Sequence, residues 1–335
     1  MKRLTTLAVA CSVVTAACGS GAGTDESVTV YSGRSEELIG PLLEDFTSAT
    51  GIAVDVRYDS SANLALLIGE EGDRSPADVF ISQSPGAIGF LAEGDLLQPI
   101  DSDALELVEP RFRNADGLWV GLSGRARVIV YNHDLVSPDE LPDSIFDLTD
   151  SAYAGRVALA PANGSFQDFI TAMRDVDGDE VTLDWLQGMA ANESPTYPNN
   201  SAIVEAVGRG EVPMGLVNHY YNYRALAEDP SLASENHFLS PGDIGSLIIV
   251  TAIGVLASSD NEEGARRLID FMLSDEAQAF YSNETFEYPL ARGSTPWEGL
   301  PPLDEIGGAT YDFDSLAGGL ERTKELIDES GLQSS

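Results

Sequence analysis

The sequence predicts an α/β protein built of two lobes with a ligand cleft between them. Runs rich in β-branched and aromatic residues alternate with longer amphipathic runs, which is typical of a sheet with parallel strands covered by helices. The alternation runs from residue 28 to residue 84 and resumes after residue 156. Segments near residue 127 and at 247–252 are predicted to cross between the lobes. Because ligands gather at the carboxyl ends of strands in such sheets, we expect the strand ends of both lobes to face one cleft.

The first predicted lobe begins with a strand over residues 28–31. Ser35 then stands as the N-cap of a helix, with two glutamates in its first turn, and Gly51 ends that helix. A strand over 52–58, a helix over 63–71 and a strand over 76–81 follow. The loops after the first and third strands, 31–36 and 82–84, are therefore expected at the same edge of the sheet.

The second predicted lobe contains the same kinds of element. A strand over 156–160 ends in the turn 161–166, which leads into a helix reaching Met173. A turn from a strand into a helix N-terminus presents free backbone N–H groups, and such groups bind anions. The other predicted elements are strands at 128–131, 212–217 and within 244–256, an extended piece at 287–290, and helices at 183–191, 202–209, 262–272, 275–281 and 315–327.

The N-terminus has the pattern of a secretory signal peptide over residues 1–17, with two basic residues followed by an apolar run. Small residues precede Cys18, as in a bacterial lipoprotein cleavage site, and a glycine-rich tether follows over 18–26. We expect Cys18 to be the lipidated first residue. Cys11 is a weaker candidate, and plain secretion with cleavage near Ala17 is the alternative.

Composition excludes several classes of function. The formal charge is −37, and the only lysines are Lys2 and Lys324. No basic face for nucleic acid or for an anionic membrane surface can be assembled from this balance. Both cysteines lie in the first 18 residues, so a disulfide framework or a thiolate metal site in the folded part is excluded. The sequence also lacks a P-loop, a dinucleotide-binding glycine motif and an HExxH zinc motif.

The stretch 218–224 contains two adjacent tyrosines, Tyr220 and Tyr221, followed closely by Arg224. Neighbouring side chains diverge on a helix and face opposite sides on a strand, so we expect irregular backbone if both phenols are to reach one point. Phenolate oxygens are hard donors that suit a small, highly charged cation. An aromatic turn with packed rings is the alternative, and on composition alone it is favoured. His219 beside the pair is open to either a ligand role or a packed imidazole.

The sequence resembles the bacterial ferric-ion-binding proteins, the extracytoplasmic receptors of iron ABC importers. The likeness covers nearly all of the chain after the tether, and its order and spacing are specific. It is carried by residues 28–33, 46–52, 71–80, 122–128, 199–201, 218–221 and 287–290.

This resemblance implies the type II periplasmic-binding-protein fold, in which a hinge lets the lobes close over a ligand. It also implies that Tyr220 and Tyr221 are paired phenolate ligands of Fe(III). A synergistic anion, carbonate or phosphate, is expected beside them. The residues expected to hold that anion are Asn163, Gly164, Ser165, Asn200, Asn218 and one of two arginines, Arg125 or Arg127.

The sequence departs from the family pattern in the first lobe. Some relatives have a histidine where this chain has Ser35 and a glutamate where it has Gln83; others have a tyrosine at the position of Glu36 or near Asn163. The resemblance therefore leaves the first-lobe ligand open. The candidates are the amide oxygen of Gln83, the carboxylate of Glu36, or an anion or water, and we expect the anion to carry more of the coordination.

The resulting expectation is a lipid-anchored monomer outside the cytoplasm, in the periplasm or on the outer face, that captures Fe(III) with an anion and delivers it to an ABC permease. The expected lobes are 27–127 with about 251–301, and 128–250 with about 302–335. The alternative keeps the fold but binds a free oxyanion or small organic anion without iron. A hydrolase using Ser123 or Ser165 is disfavoured because no suitable base accompanies either serine.

Overall fold

The computed structural model describes residues 27–303, 305, 306, 311, 313 and 319–332. The predicted signal peptide, Cys18 and the tether lie outside the described residues, as do residues 315–318 of the last predicted helix. Within the described ranges, no helix has the length and apolar character needed to span a bilayer.

Ten strands and eleven helices organise the described chain. The strands are β1 (Ser27–Ser32), β2 (Ala53–Tyr58), β3 (Val79–Ser82), β4 (Leu97–Gln98), β5 (Val120–Asn132), β6 (Val157–Ala158), β7 (Met214–Asn218), β8 (Ser234–His237), β9 (Ile248–Leu256) and β10 (Tyr288–Pro289). The helices are α1 (Glu36–Thr50), α2 (Ser61–Glu71), α3 (Pro85–Glu93), α4 (Ser102–Glu106), α5 (Gly164–Asp177), α6 (Asp179–Ala191), α7 (Asn200–Gly208), α8 (His219–Glu228), α9 (Glu262–Met272), α10 (Asp275–Asn283) and α11 (Leu320–Ser330).

The main path of the sheet runs in the order β2-β1-β3-β9-β5-β7-β6. β1 is parallel to both β2 and β3, as the alternation of strands and helices predicted. β6 is also parallel to β7. The expectation of a parallel sheet is wrong for the centre, because β9 is antiparallel to β3 and to β5, and β5 is antiparallel to β7. Hydrophobic alternation reports how deeply a strand is buried but not its direction, and so it could not reveal these pairings.

β5 joins the two halves of the sheet. All thirteen of its residues are buried. Its residues from Val120 to Ala126 pair with β9, and those from Arg127 onward pair with β7 and β8. This change of partners lies next to the lobe boundary expected at residue 127, which stays a prediction. Arg125 and Arg127 consequently lie at the junction of the two halves.

Local capping places the loops that end at this junction. Asn163 caps α5, and its side chain accepts a hydrogen bond from the backbone N–H of Ser165.

Gly51 ends α1 in the left-handed region, at φ 76°, as the sequence predicted. The strand expected over 156–160 is shorter than predicted, since only Val157 and Ala158 pair regularly with β7.

Candidate metal centre

A cavity of about 620 Å³ lies where the loops of the two sheet halves meet. It has an apolar part and a polar part, and the polar part is formed by loop and helix-terminal residues from both halves. The polar and charged residues that line it are Ser60, Ser61, Asn63, Gln83, Ser84, Arg125, Asn163, Ser165, Gln167, Asp168, Thr171, Tyr221 and Lys324.

The two tyrosines lie in the first turn of α8, directly after β7. Their ring centroids are 4.2 Å apart with an interplanar angle of 31°. The expectation of irregular backbone is therefore wrong, because Tyr220 and Tyr221 are helical and their rings still pack against each other. Helical side chains lean toward the N-terminus, and in a first turn no preceding turn occupies that space. Both rings can thus extend past the end of the helix.

Tyr220 is completely buried, whereas Tyr221 is half-buried and lines the cavity. The Tyr220 hydroxyl has no hydrogen-bond partner among the described residues. Burial raises the pKa of Tyr220 well above its usual value, Tyr221 raises it further and Arg125 opposes the shift. An unpaired buried hydroxyl costs roughly 1–3 kcal/mol. A buried oxygen without a partner is suited to bind a ligand that supplies the missing contact.

His219 is a packed imidazole and does not line the cavity. Its Nδ1 accepts from the Ala126 backbone N–H at 3.0 Å, and its Nε2 donates to the Phe286 carbonyl at 2.7 Å. Burial lowers the pKa of His219 to about 4, so the ring is neutral. The question left open by the sequence is thereby answered: His219 fixes the first turn of α8 against β5 and positions the tyrosines.

The predicted anion residues form one hydrogen-bonded group. The Asn163 side chain accepts from the Ser165 hydroxyl at 2.7 Å. Asn200 Nδ2 donates to Asn163 Oδ1 at 3.2 Å and to Ser165 Oγ at 3.1 Å. Gly164, the first residue of α5, is exposed and has open space around it. The structure therefore brings these four residues together at a helix N-terminus that faces the cavity.

Arg127 connects this group to the tyrosines. Its Nη1 donates to Asn218 Oδ1 at 3.1 Å and to Ser165 Oγ at 3.4 Å. Asn218 is in the N-cap position of α8, but its side chain accepts from Arg127 and makes no capping bond. Burial lowers the pKa of Arg127 to about 9, while Tyr221 and Asp168 oppose the shift. Arg127 therefore remains charged at neutral pH.

Arg125 and Arg127 are both completely buried, and no ion pair joins either one to a carboxylate in the described part of the chain. Arg125 Nη2 donates to the carbonyls of Gln83 and Val250. The Nε atoms of both arginines lack hydrogen-bond partners among the same residues. Two guanidinium charges bonded only to neutral groups are suited to an anion, which would form charge-assisted bonds with them.

Of the two predicted first-lobe ligands, the structure brings only Gln83 to the cavity. Gln83 follows β3, is half-buried, and its backbone N–H donates to Ser61 Oγ at 2.9 Å. Glu36 is exposed in the first turn of α1, near Tyr58, and is not among the cavity-lining residues. Ser35 is also exposed and makes no side-chain cap.

Sequence reasoning missed several residues of the cavity. The N-terminus of α2 contributes Ser61, which packs so closely on Gly33 that a Cβ there would lie 2.0 Å from Ser61 Oγ. Asp168 Oδ1 accepts from Ser84 Oγ at 2.7 Å. Lys324 reaches the rim from α11. One signal for Asp168 was available, since it stands three residues after Ser165 on a helix and so on the same face.

If a metal ion binds in this cavity, the available donor atoms indicate that phenolate oxygens are its ligands. Within the ranges that the structure describes, no group of three or more His, Cys, Asp or Glu residues could hold a metal ion. Arg125 and Lys324 line the cavity, and the buried Arg127 donates to the lining residue Ser165, in a chain of formal charge −37. A trivalent cation at Tyr220 and Tyr221 beside a bound anion would satisfy both the orphaned hydroxyl and the arginines.

The chain is similar over most of its length to several known proteins. The model of a family described as bacterial extracellular solute-binding protein matches residues 74–300. The Fe(3+)-binding periplasmic protein of Serratia marcescens is 31% identical over 97% of this chain and 96% of its own length. Iron-bound HitA from Pseudomonas aeruginosa is 33% identical, with a TM-score of 0.86 over 92% of this chain and 100% of that one. A Trichodesmium protein in complex with iron and citrate is 28% identical, with a TM-score of 0.80 over 92% and 100%.

These similarities confirm the predicted fold class, the type II periplasmic-binding-protein fold. They also confirm the interpretation of the chain as a binding protein rather than an enzyme, because the relatives are solute-binding transport proteins.

Proposed function

The chain belongs to the bacterial extracellular solute-binding proteins, and among them to the ferric-iron-binding family, and from that premise we propose that it captures Fe(III) between Tyr220 and Tyr221 together with a synergistic anion. The cargo is delivered to the permease of an ABC importer. One observation carries the proposal. The fully buried Tyr220 hydroxyl is unpaired among the described residues, beside a second tyrosine and two unneutralised arginines.

The charge balance supports this assignment. A trivalent cation lowers the pKa of a coordinated phenol far below its usual value of about 10, so both ligands bind as phenolates. Two phenolates and one anion then neutralise most of the metal charge. The anion, carbonate or phosphate, is held by the Asn163–Ser165 turn with Asn200 and Asn218, and by Arg125 or Arg127.

On the opposite wall, Gln83 supplies an amide oxygen, or the anion or a water takes that position. Glu36 could join only if α1 moved, because its carboxylate is exposed away from the cavity-lining residues. We propose that the lobes 27–127 with about 251–301, and 128–250 with about 302–335, close over the metal by a hinge near Arg127. Contacts that exist only in the liganded state would stabilise the closed form.

The proposed protein acts as a monomer at the outer face of the membrane or in the periplasm. Its relatives are named as periplasmic and iron-uptake proteins. Lipidation of Cys18 would keep it near the permease, and contact with the membrane would be limited to that anchor.

The decisive experiment is a colour titration. Purified iron-free protein mixed with a soluble ferric chelate is expected to develop the visible absorption of phenolate-to-iron charge transfer. The double variant Tyr220→Phe, Tyr221→Phe is expected to stay colourless. The variant Tyr153→Phe is the matched control, because the Tyr153 hydroxyl donates to Glu140 at the surface and not in the cavity. A folded wild type that remains colourless would refute iron capture by these tyrosines.

A second function has its own support in the structure. The hydrogen bonds among Asn163, Ser165, Asn200, Asn218 and Arg127 form without the tyrosine hydroxyls, and Arg127 Nε has no partner in the described structure, so this group could hold an oxyanion or small organic anion alone. A colourless wild type that binds phosphate in calorimetry would favour this alternative. A coloured wild type would favour ferric transport.

A further inference from the structure

Asp168 is an acidic residue in a cavity otherwise suited to anions. It lies on α5, one turn after Ser165, and its half-buried carboxylate lines the cavity. Its Oδ1 accepts a hydrogen bond of 2.7 Å from the hydroxyl of Ser84, the residue in the N-cap position of α3. Because Ser84 follows β3, which lies in the other half of the sheet, this bond crosses the cavity and holds the carboxylate inside it.

The Asp168 carboxylate interacts electrostatically with Arg125 and Arg127 but does not contact either side chain. Arg125 and Arg127 both stabilise its ionised form, and Asp168 in turn favours the charged form of Arg127. No ion-pair contact forms between Asp168 and either arginine. Glu287, a second carboxylate that interacts with Arg125, is bound directly by Arg34 and Ser123. Asp168 thus lowers the positive potential of the cavity without blocking the arginine donors.

We propose that Asp168 is the residue that determines which synergistic anion is taken, favouring a singly charged anion such as bicarbonate over a doubly charged one such as hydrogen phosphate. This inference rests on the proposed function and deepens it. The cost of removing an anion from water rises more steeply with its charge than its attraction to the arginines does. A carboxylate that weakens the attraction therefore penalises the dianion most.

The test is calorimetric titration of the iron-free full-length chain with inorganic phosphate and, separately, with bicarbonate. Asp168→Asn removes the charge and keeps the shape. It is expected to tighten bicarbonate binding on the order of tenfold and phosphate binding on the order of a hundredfold, since the effect scales with the anion charge. Asp168→Glu restores the charge and is expected to keep the wild-type preference. Asp184→Asn, at an exposed position of α6, is the matched control and should change neither affinity.

Equal gains for both anions, or unchanged affinities in Asp168→Asn, would overturn the inference. The colour titration separates this failure from failure of iron capture. A coloured wild type with an unaltered anion preference in Asp168→Asn removes only the role of Asp168, whereas a colourless wild type removes iron capture and with it the synergistic role of the anion. If Asp168→Asn stays folded but loses the ferric colour, Asp168 is an iron ligand and the inference is also overturned. Circular dichroism of each variant establishes that it is folded.

Discussion

At the scale of single residues, Tyr220 combines full burial with an unpaired hydroxyl. Its ring packs on Tyr221 and edge-on against His219, so the aromatic part contributes to the core. The hydroxyl destabilises the iron-free fold, because on burial it loses its hydrogen bonds to water and gains no partner in the described structure. A binding group held ready at a cost to folding is the expected signature of a ligand position.

Tyr220→Phe is therefore expected to stabilise the iron-free protein, by about 1 kcal/mol, while weakening or abolishing the ferric colour. Urea denaturation gives the free energy of unfolding. Tyr288→Phe is the matched control, because that equally buried ring has a hydroxyl that donates to the Pro301 carbonyl at 3.0 Å. The control is expected to lose about 1 kcal/mol. Destabilisation by Tyr220→Phe of the same size would mean that its hydroxyl has a partner in solution.

Asp168 gives a pH-dependent prediction. Burial raises its pKa to about 6, although Ser84, Arg125 and Arg127 oppose the shift. In the unfolded chain the pKa is about 3.9. Between these values the native state binds the proton and the unfolded state does not. The contribution of Asp168 to stability is therefore highest below the unfolded value and is lost as the pH rises through about 6.

Asp168→Asn should remove this loss. Near pH 4 the variant and the wild type are expected to have similar free energies of unfolding, whereas near pH 7 the variant should be more stable by about 2–3 kcal/mol at most. Urea denaturation of both proteins without iron or added anion across this range measures the difference. Stability curves that stay parallel over the whole range would contradict the prediction.

At the scale of elements, the first turn of α8 is held by one neutral histidine between two backbone groups. His219 accepts from Ala126 on β5 and donates to Phe286, which precedes β10. The His219 carbonyl also accepts from Asn236 Nδ2 on β8 at 2.9 Å. These bonds fix the orientation from which both tyrosines project.

His219→Leu would leave the Ala126 N–H and the Phe286 carbonyl buried without their partner. We expect a loss of about 2–4 kcal/mol in the free energy of unfolding, which thermal or urea denaturation would measure. His133→Leu provides the control, since His133 is an exposed histidine, and its effect should stay within about 0.5 kcal/mol. A loss as small as that of the control would show that the two backbone groups find other partners.

At the scale of the whole molecule, a buried ion pair ties together segments that are remote in sequence. Arg34, after β1, lies 2.8 Å from Glu287, and both side chains have no exposed surface. Arg34 also donates to Thr251 on β9, and Ser123 on β5 donates to Glu287. Burial opposes ionisation of Glu287, but Arg34 and the other donors hold its pKa below the usual range.

Glu287→Gln is expected to cost about 3–5 kcal/mol, because it leaves the Arg34 charge buried without a counter-charge. Chemical denaturation at neutral pH measures the loss. Glu263→Gln removes a partner from an exposed ion pair with Arg266 and should cost less than about 1 kcal/mol. Similar small losses for both variants would indicate that water reaches Arg34.

Much of the fold follows from the sequence alone. Local patterns predicted α1 with its Gly51 end, α9 over 262–272 and the parallel arrangement of β1, β2 and β3. The resemblance to the ferric-binding family named the turn 163–165, Asn200, Asn218 and Arg127, which the structure links by hydrogen bonds, and their role in anion binding stays a prediction. These features were accessible because periodicity, capping residues and motif spacing are local properties of the chain.

The tertiary structure decided what depends on residues far apart in sequence. It made β5 and β9 antiparallel, placed both tyrosines on a regular helix end, turned His219 away from the cavity and left Glu36 at the surface. It also brought Asp168 and Ser84 together across the cavity. No local pattern contains these outcomes, because burial, charge pairing and strand direction are set by the packing of segments that the sequence keeps apart.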